Sequence, residues 1–86
     1  MMEPAGELDA PMTLYHARNH SYLKVLAISD DWMTRRSINQ MGLYAGDRLH
    51  VLRKAPFGGP LMVKSHNTQV AISRQLAEKI RVELVP

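Results

Sequence analysis

Cysteine is absent from the 86 residues of this chain. Without a thiol there is no disulfide, no cysteine nucleophile and no Cys-ligated zinc or iron–sulfur centre. The longest aliphatic run, residues 25–28 (VLAI), is far shorter than the roughly 20 apolar residues that span a bilayer. The acidic start of the chain lacks the basic and apolar segments of a secretory signal. We therefore expect a cytoplasmic protein.

Aromatic side chains are scarce, at 6% of the residues, and the short chain has room for one small domain only. A domain of this size has a thin core and little space for a deep catalytic pocket. The adjacent carboxylates of Asp30 and Asp31 would not converge on one substrate if they lay on a helix. No Ser, His and Asp residues show a meaningful catalytic spacing. We predict that the protein is not an enzyme.

Charge is distributed unevenly around a formal net value of +3. Residues 1–11 contain three of the acids, two prolines and no apolar periodicity, which predicts a flexible N-terminal tail. Residues 12–86 are predicted to form the folded domain, and they are more basic than the whole chain. An acidic protein face, nucleic acid or lipid headgroups would each complement such a surface.

Hydrophobic patterning predicts a mainly β protein. Short strands are expected at 22–28, 48–54, 61–65, 68–72 and 80–84, with His66 and Asn67 as a two-residue turn. One α-helix, capped within residues 29–31 and stopped by Gly42, follows the first strand, and a helical turn at 74–77 precedes the last. A further turn is expected at 13–17. The simplest architecture is a small SH3-like five-stranded barrel.

Two burial patterns accompany this prediction. The first strand, residues 22–28, is apolar on both faces, which indicates burial on two sides. On the helix, we expect Met33, Ser37, Ile38 and Met41 to share the core-facing side.

Several segments together resemble the FeoA family. Residues 38–47 (INQMGLYAGD) are similar to the family's helix-end pattern, in which Leu/Met-Gly-Leu precedes Gly-Asp/Thr. The corner at 55–60 (APFGGP) and residues 70–74 (VAISR) are similar to its later motifs, and the match runs from about Leu14 to Glu83. Three features depart from the family pattern. They are Ser37, the acidic tail, and Ser73, which separates Ile72 from Arg74 where the family more often has Leu-Arg or Ile-Arg.

The resemblance implies an SH3-like barrel that serves bacterial ferrous iron uptake. Its implied partner is the cytoplasmic GTP-binding domain of a FeoB-type transporter, which it would modulate without entering the membrane itself. The alternative is a small basic β-barrel that binds single-stranded nucleic acid. The five aromatic residues disfavour this alternative, because they do not interleave with Lys and Arg along one strand.

Five residues are candidates for partner binding: Trp32, Arg35, Arg36, Phe57 and Arg74. Trp32 lies away from the apolar stripe of the helix, where an exposed indole would anchor a partner, unless it folds back on the barrel. Phe57 either contacts a partner or plugs one end of the barrel, and plugging is the more common use of such a residue.

His16 and His20 are candidates for a metal site. Histidines four residues apart lie on one face of a helix, as the ligands of a divalent transition metal such as iron or zinc require. The alternative is that both are surface histidines with no shared site.

Overall fold

The computed structural model describes residues 12–86. One antiparallel sheet contains all six strands of this part of the chain in the order β1-β6-β2-β3-β4-β5. The strands are β1 (Met12–Thr13), β2 (Tyr22–Ile28), β3 (Arg48–Lys54), β4 (Leu61–Ser65), β5 (Thr68–Ile72) and β6 (Ile80–Leu84). The helices are α1 (Trp32–Gln40) and α2 (Arg74–Ala77), and a 3-10 turn occupies Leu14–His16.

This architecture confirms the predicted mainly β, SH3-like fold. The five expected strands, the helix after the first of them and the helical turn before the last are all present. The sequence did not predict β1, which pairs Met12 with Val82 and Thr13 with Arg81. A strand of two residues is too short to show alternation, so no sequence pattern could reveal it. The proposed tail, residues 1–11, lies outside the described residues.

Two irregularities bend the sheet. The register of β2 against β6 shifts between Val25 and Ala27, and that of β3 against β4 shifts between Val51 and Arg53. An extra residue on one strand of an antiparallel pair bends that strand and increases its twist. The sheet therefore curves around the side chains on its inner face.

The core lies on this concave face and draws on every strand from β2 to β6. Leu61, Val63 and Ser65 of β4 are all buried, because alternate residues of a strand point to the same face. The 3-10 turn, α1 and α2 also contribute buried side chains to the core. The buried hydrophobic residues are Leu14, Ala17, Leu23, Val25, Ile38, Leu43, Leu49, Val51, Leu61, Val63, Ile72, Ala77, Ile80 and Val82.

The prediction that β2 is buried on both faces is wrong. Leu23 and Val25 are buried, but Tyr22 is 58% exposed and Leu26 is exposed as well. Successive side chains of a strand point to opposite faces, and only the inner face of this curved sheet is covered. The outer face of β2 therefore presents apolar side chains to solvent.

The turn between β4 and β5 is confirmed as a two-residue turn. Ser65 pairs with Thr68, and the two residues between them, His66 and Asn67, have φ angles of 52° and 64°. Positive φ at both central positions is the signature of a type I′ turn, which matches the twist of the flanking strands.

The predicted core face of α1 is only partly correct. Ile38 is the buried residue of this helix, whereas Met33 is 62% exposed and Ser37 is exposed. Met33 precedes Ile38 by five positions, which at about 100° per residue places it roughly 140° away around the helix. Met41, three residues after Ile38, lies much nearer to that face and is half-buried.

Ser65 is the buried polar residue of this core. It is 4% exposed, and its hydroxyl has no hydrogen-bond partner within residues 12–86. A buried hydroxyl without a partner costs about 1–3 kcal/mol in lost hydration.

We expect Ser65→Ala to raise the free energy of unfolding by about 1 kcal/mol, measured by urea denaturation. An unchanged or lower stability would show that the hydroxyl finds a partner in solution.

Candidate functional site

The outer side of α1 carries the first candidate surface. A groove of about 370 Å³ is lined there by Trp32, Arg35, Arg36, Asn39, Gln40 and Tyr44, which we call the helix surface. Trp32 is the first residue of α1 and is 61% exposed, so it does not fold back on the barrel. No carboxylate belongs to the described residues that line this groove. An exposed indole therefore stands beside two guanidinium groups.

Asp31 secures the start of α1. Its Oδ2 accepts hydrogen bonds from Thr34 Oγ1 at 2.6 Å and from the Thr34 backbone N–H at 3.1 Å. These bonds stabilise the carboxylate and hold the pKa of Asp31 below its ordinary value. Asp31 thereby caps the helix, as the sequence predicted, and places Trp32 at a defined position.

The end of α1 is secured in a similar way. Asn39 Nδ2 donates to the carbonyl of Leu43 at 2.7 Å, and Gly42 between them has a φ of +94°. Beyond this turn, the backbone N–H of Tyr44 donates to Asp47 Oδ2 at 2.9 Å. Local hydrogen bonds thus hold the loop that brings Tyr44 to the helix surface.

Phe57 lies on a second surface, at the Pro/Gly corner between β3 and β4. The residue is fully exposed, with a relative solvent accessibility of 103%. The expectation that Phe57 plugs the barrel is therefore wrong. Phe57 and Gly58 have φ angles of 60° and 74°, and the Gly59 N–H donates to the Pro56 carbonyl at 3.1 Å. This tight left-handed turn carries the ring away from the core.

Arg74 lies beside the same corner. Its Cζ is 5.1 Å from the centre of the Tyr15 ring, and its Nε is 3.2 Å from Glu78 Oε2. Lys54 Nζ lies 5.2 Å from the same ring centre and donates to the Tyr15 carbonyl at 2.8 Å. A Cβ on Gly58 would come within 2.9 Å of Arg74 Nη1. We call this region the corner surface, and it consists of Tyr15, Lys54, Phe57, Gly58 and Arg74.

The five predicted partner-binding residues thus belong to two surfaces. Trp32, Arg35 and Arg36 line the helix surface, whereas Phe57 and Arg74 belong to the corner surface. Partner binding by either set stays a prediction.

The helical arrangement assumed for His16 and His20 is wrong. The 3-10 turn ends at His16, and His20 has a left-handed backbone with a φ of 70°. His16 Nδ1 lies 2.6 Å from Thr13 Oγ1, which ties this ring to its own turn. Within residues 12–86, no group of three or more His, Asp or Glu side chains is arranged to hold a metal ion. Binding of iron or zinc by the two histidines stays a prediction from the sequence.

Sequence reasoning missed a third surface, on the outer face of the sheet. Tyr22 and His50 are opposite each other on β2 and β3, and their rings stack with centres 4.2 Å apart. The two rings line a groove on this face, and Arg48 and Lys64 line it as well. The four residues come from three strands, so only the strand register could reveal their proximity.

None of the helices of residues 12–86 combines the length and the apolar character that crossing a bilayer requires.

Comparisons with known proteins point to one family. The sequence matches the FeoA domain family over residues 12–84. It is similar to an FeoA-like protein from Clostridium acetobutylicum, with 26% identity, 88% of each chain covered and a TM-score of 0.81. Similarity to the FeoA protein from Chlorobium tepidum extends over 87% of this chain and 71% of that chain, with 29% identity and a TM-score of 0.77.

The fold also occurs within a longer protein. A manganese-dependent transcriptional repressor in complex with manganese has 26% identity and a TM-score of 0.80, over 88% of this chain and 37% of the repressor. No significant match is found among curated proteins.

Proposed function

The chain belongs to the FeoA family, and from this premise we propose that it is a cytoplasmic accessory or regulatory protein of bacterial ferrous iron uptake. Family membership supports a role in ferrous iron transport or its regulation. The partner we propose is the cytoplasmic GTP-binding part of a FeoB-type transporter, which the protein binds and modulates. It carries out no chemistry of its own in this role.

The exposed indole of Trp32 beside Arg35 and Arg36 is the observation that carries this proposal. Trp and Arg are the residues most enriched at the energetic centres of protein interfaces. The helix surface is a shallow groove with no carboxylate among the described residues that line it, and the cap at Asp31 holds its helix in place. An acidic, partly apolar face on the transporter domain would complement it in charge and shape.

The corner surface supports this role less directly. Phe57 is more exposed than Trp32, but its ring stands alone at the tip of a turn. Trp32 instead shares one shallow groove with Tyr44 and two arginines, which offers a partner several adjacent contacts. Well-packed pockets contribute more to binding than isolated contacts do. We therefore assign the primary contact to the helix surface.

Trp32→Ala should weaken binding to the isolated cytoplasmic domain of the transporter by about tenfold. The loss follows from removing the largest apolar side chain of the helix surface, while the exposed position leaves the fold intact. The measurement is an NMR titration of the isotope-labelled chain, with and without guanine nucleotide. Trp32 is the only tryptophan, so its indole N–H reports the contact directly.

Phe57→Ala is the matched control, because it removes an exposed aromatic ring from the other surface. We expect it to change the affinity by less than about twofold. The reverse pattern, a loss with Phe57→Ala and none with Trp32→Ala, would move the contact to the corner surface. An absence of shifts at any residue at high concentrations of both proteins would overturn the adaptor role.

A further inference from the structure

The outer face of β2, β3 and β4 contains a groove of about 380 Å³ that the proposed role does not use. We call it the sheet groove. The rings of Tyr22 and His50 stack face to face within it, with their planes inclined by 6°. Arg48, Lys64, Asn67 and Val85 also line it. Aromatic, cationic and amide side chains are thus combined in one depression.

The register of the sheet builds this arrangement. Tyr22 is paired with His50 across β2 and β3, and His50 is paired with Lys64 across β3 and β4. Side chains directly opposite on one face of an antiparallel sheet lie close enough to interact. The row therefore runs from an exposed phenol ring through an imidazole to an ammonium group. Arg48 lies two residues before His50 on the same face.

Among the described residues that line the sheet groove, Arg48 and Lys64 supply the cationic side chains. No Asp or Glu is found among the described residues that line it, and both Arg48 and Lys64 are exposed. The carboxylate next along the chain, Asp47, is engaged elsewhere. Its Oδ1 lies 3.3 Å from His66 Nε2, and its Oδ2 accepts from the Tyr44 N–H at 2.9 Å. Arg48 and Lys64 are therefore available to an anionic ligand.

We propose that the sheet groove binds a mononucleotide, with its base against the Tyr22–His50 pair and its phosphates on Arg48 and Lys64. Aromatic side chains stack on nucleobases of any sequence, and cationic side chains complement phosphate. Asn67 supplies an amide that can reach polar base or sugar groups. This site is separate from the helix surface, and the inference does not depend on the proposed role in iron uptake.

The size of the sheet groove favours a single nucleotide over a polynucleotide. A volume of about 380 Å³ lies within the usual range of about 300–1,000 Å³ for small-molecule sites. Single-stranded nucleic acid is instead bound along an extended track of cationic and aromatic residues that covers about 4–16 nucleotides. Here one stacked pair and two cations form the site.

The test is an NMR titration of the full chain with ATP, GTP, adenosine, inorganic triphosphate and a short single-stranded DNA. We expect saturable shifts at Tyr22, His50 and Lys64 with the nucleoside triphosphates, and affinities about fivefold weaker for adenosine and for triphosphate alone. Tyr22→Leu and Lys64→Gln should each weaken nucleotide binding by about fivefold. Both positions are exposed, so neither variant removes a core contact.

Arg81→Gln is the charge-matched control. Arg81 is exposed and paired with Ala27 at the far end of β2, outside the sheet groove, so binding should be unchanged. Equal affinity for triphosphate and ATP would overturn the proposal, since charge alone would then account for binding. So would much tighter binding of the DNA, a lack of response to Tyr22→Leu, or no shifts at millimolar nucleotide.

Discussion

Replacing Ile38 by alanine should lower the free energy of unfolding by about 2–4 kcal/mol. Ile38 is completely buried and is the side chain through which α1 enters the core. Truncation removes three carbon atoms from the core and leaves a cavity that the surrounding strands cannot fill without moving. For a domain of this size, the expected fall in melting temperature is more than about 10 °C.

Met33→Ala is the matched control on the same helix. Met33 is a similarly large apolar residue, but it is mostly exposed, so its truncation should change stability by less than about 0.5 kcal/mol. Urea denaturation followed by circular dichroism measures both variants. If Met33→Ala destabilised the domain as much as Ile38→Ala, the core-facing side of α1 would be the one first expected from the sequence.

The consequence of losing Ile38 extends to the helix surface. Trp32, Arg35 and Arg36 lie on the same short helix, and isolated helices of this length are not stable in water. Docking of Ile38 into the core therefore helps to hold the proposed contact residues in place. We therefore expect the loss of Ile38 to weaken the proposed partner binding as well as the stability of the domain.

The strands and turns could be predicted because their signals are local. Alternating burial in β4 and in residues 80–83 of β6 follows from a period of two, and the His66-Asn67 turn follows from the tolerance of Asn for a left-handed backbone. The cap at Asp31 and the stop at Gly42 likewise depend on neighbouring residues alone. The resemblance to the FeoA family likewise rests on short local motifs, at residues 38–47, 55–60 and 70–74.

The position of exposed aromatic side chains could not be predicted in this way. Phe57 points outward because Phe57 and Gly58 both have positive φ angles. The periodicity of apolar residues in a sequence does not indicate the backbone angles of a turn. Tyr22 and His50 meet because β2 and β3 align in one register among several conceivable ones. Such contacts join residues that are distant in the sequence, so they require the folded structure.

Gly59→Ala should lower the free energy of unfolding by about 2–3 kcal/mol. A Cβ at this position would lie 2.7 Å from the Ala55 Cβ and 3.2 Å from the Pro56 carbonyl oxygen. These atoms belong to a closed corner, since the Ala55 N–H donates to the Pro60 carbonyl at 2.8 Å. The added methyl group must therefore force the backbone apart. Urea denaturation of the variant measures the loss.

The clash with Ala55 can be tested by removing its partner atom. Ala55→Gly in the Gly59→Ala background should recover about 1 kcal/mol relative to the sum of the two single changes. Recovery should be incomplete, because the Pro56 carbonyl oxygen stays in place beside the new methyl group. Strict additivity of the two changes would contradict the close approach at this corner. A positive coupling would show that Gly59 is required because two strands are joined there through a turn with no space for a Cβ atom.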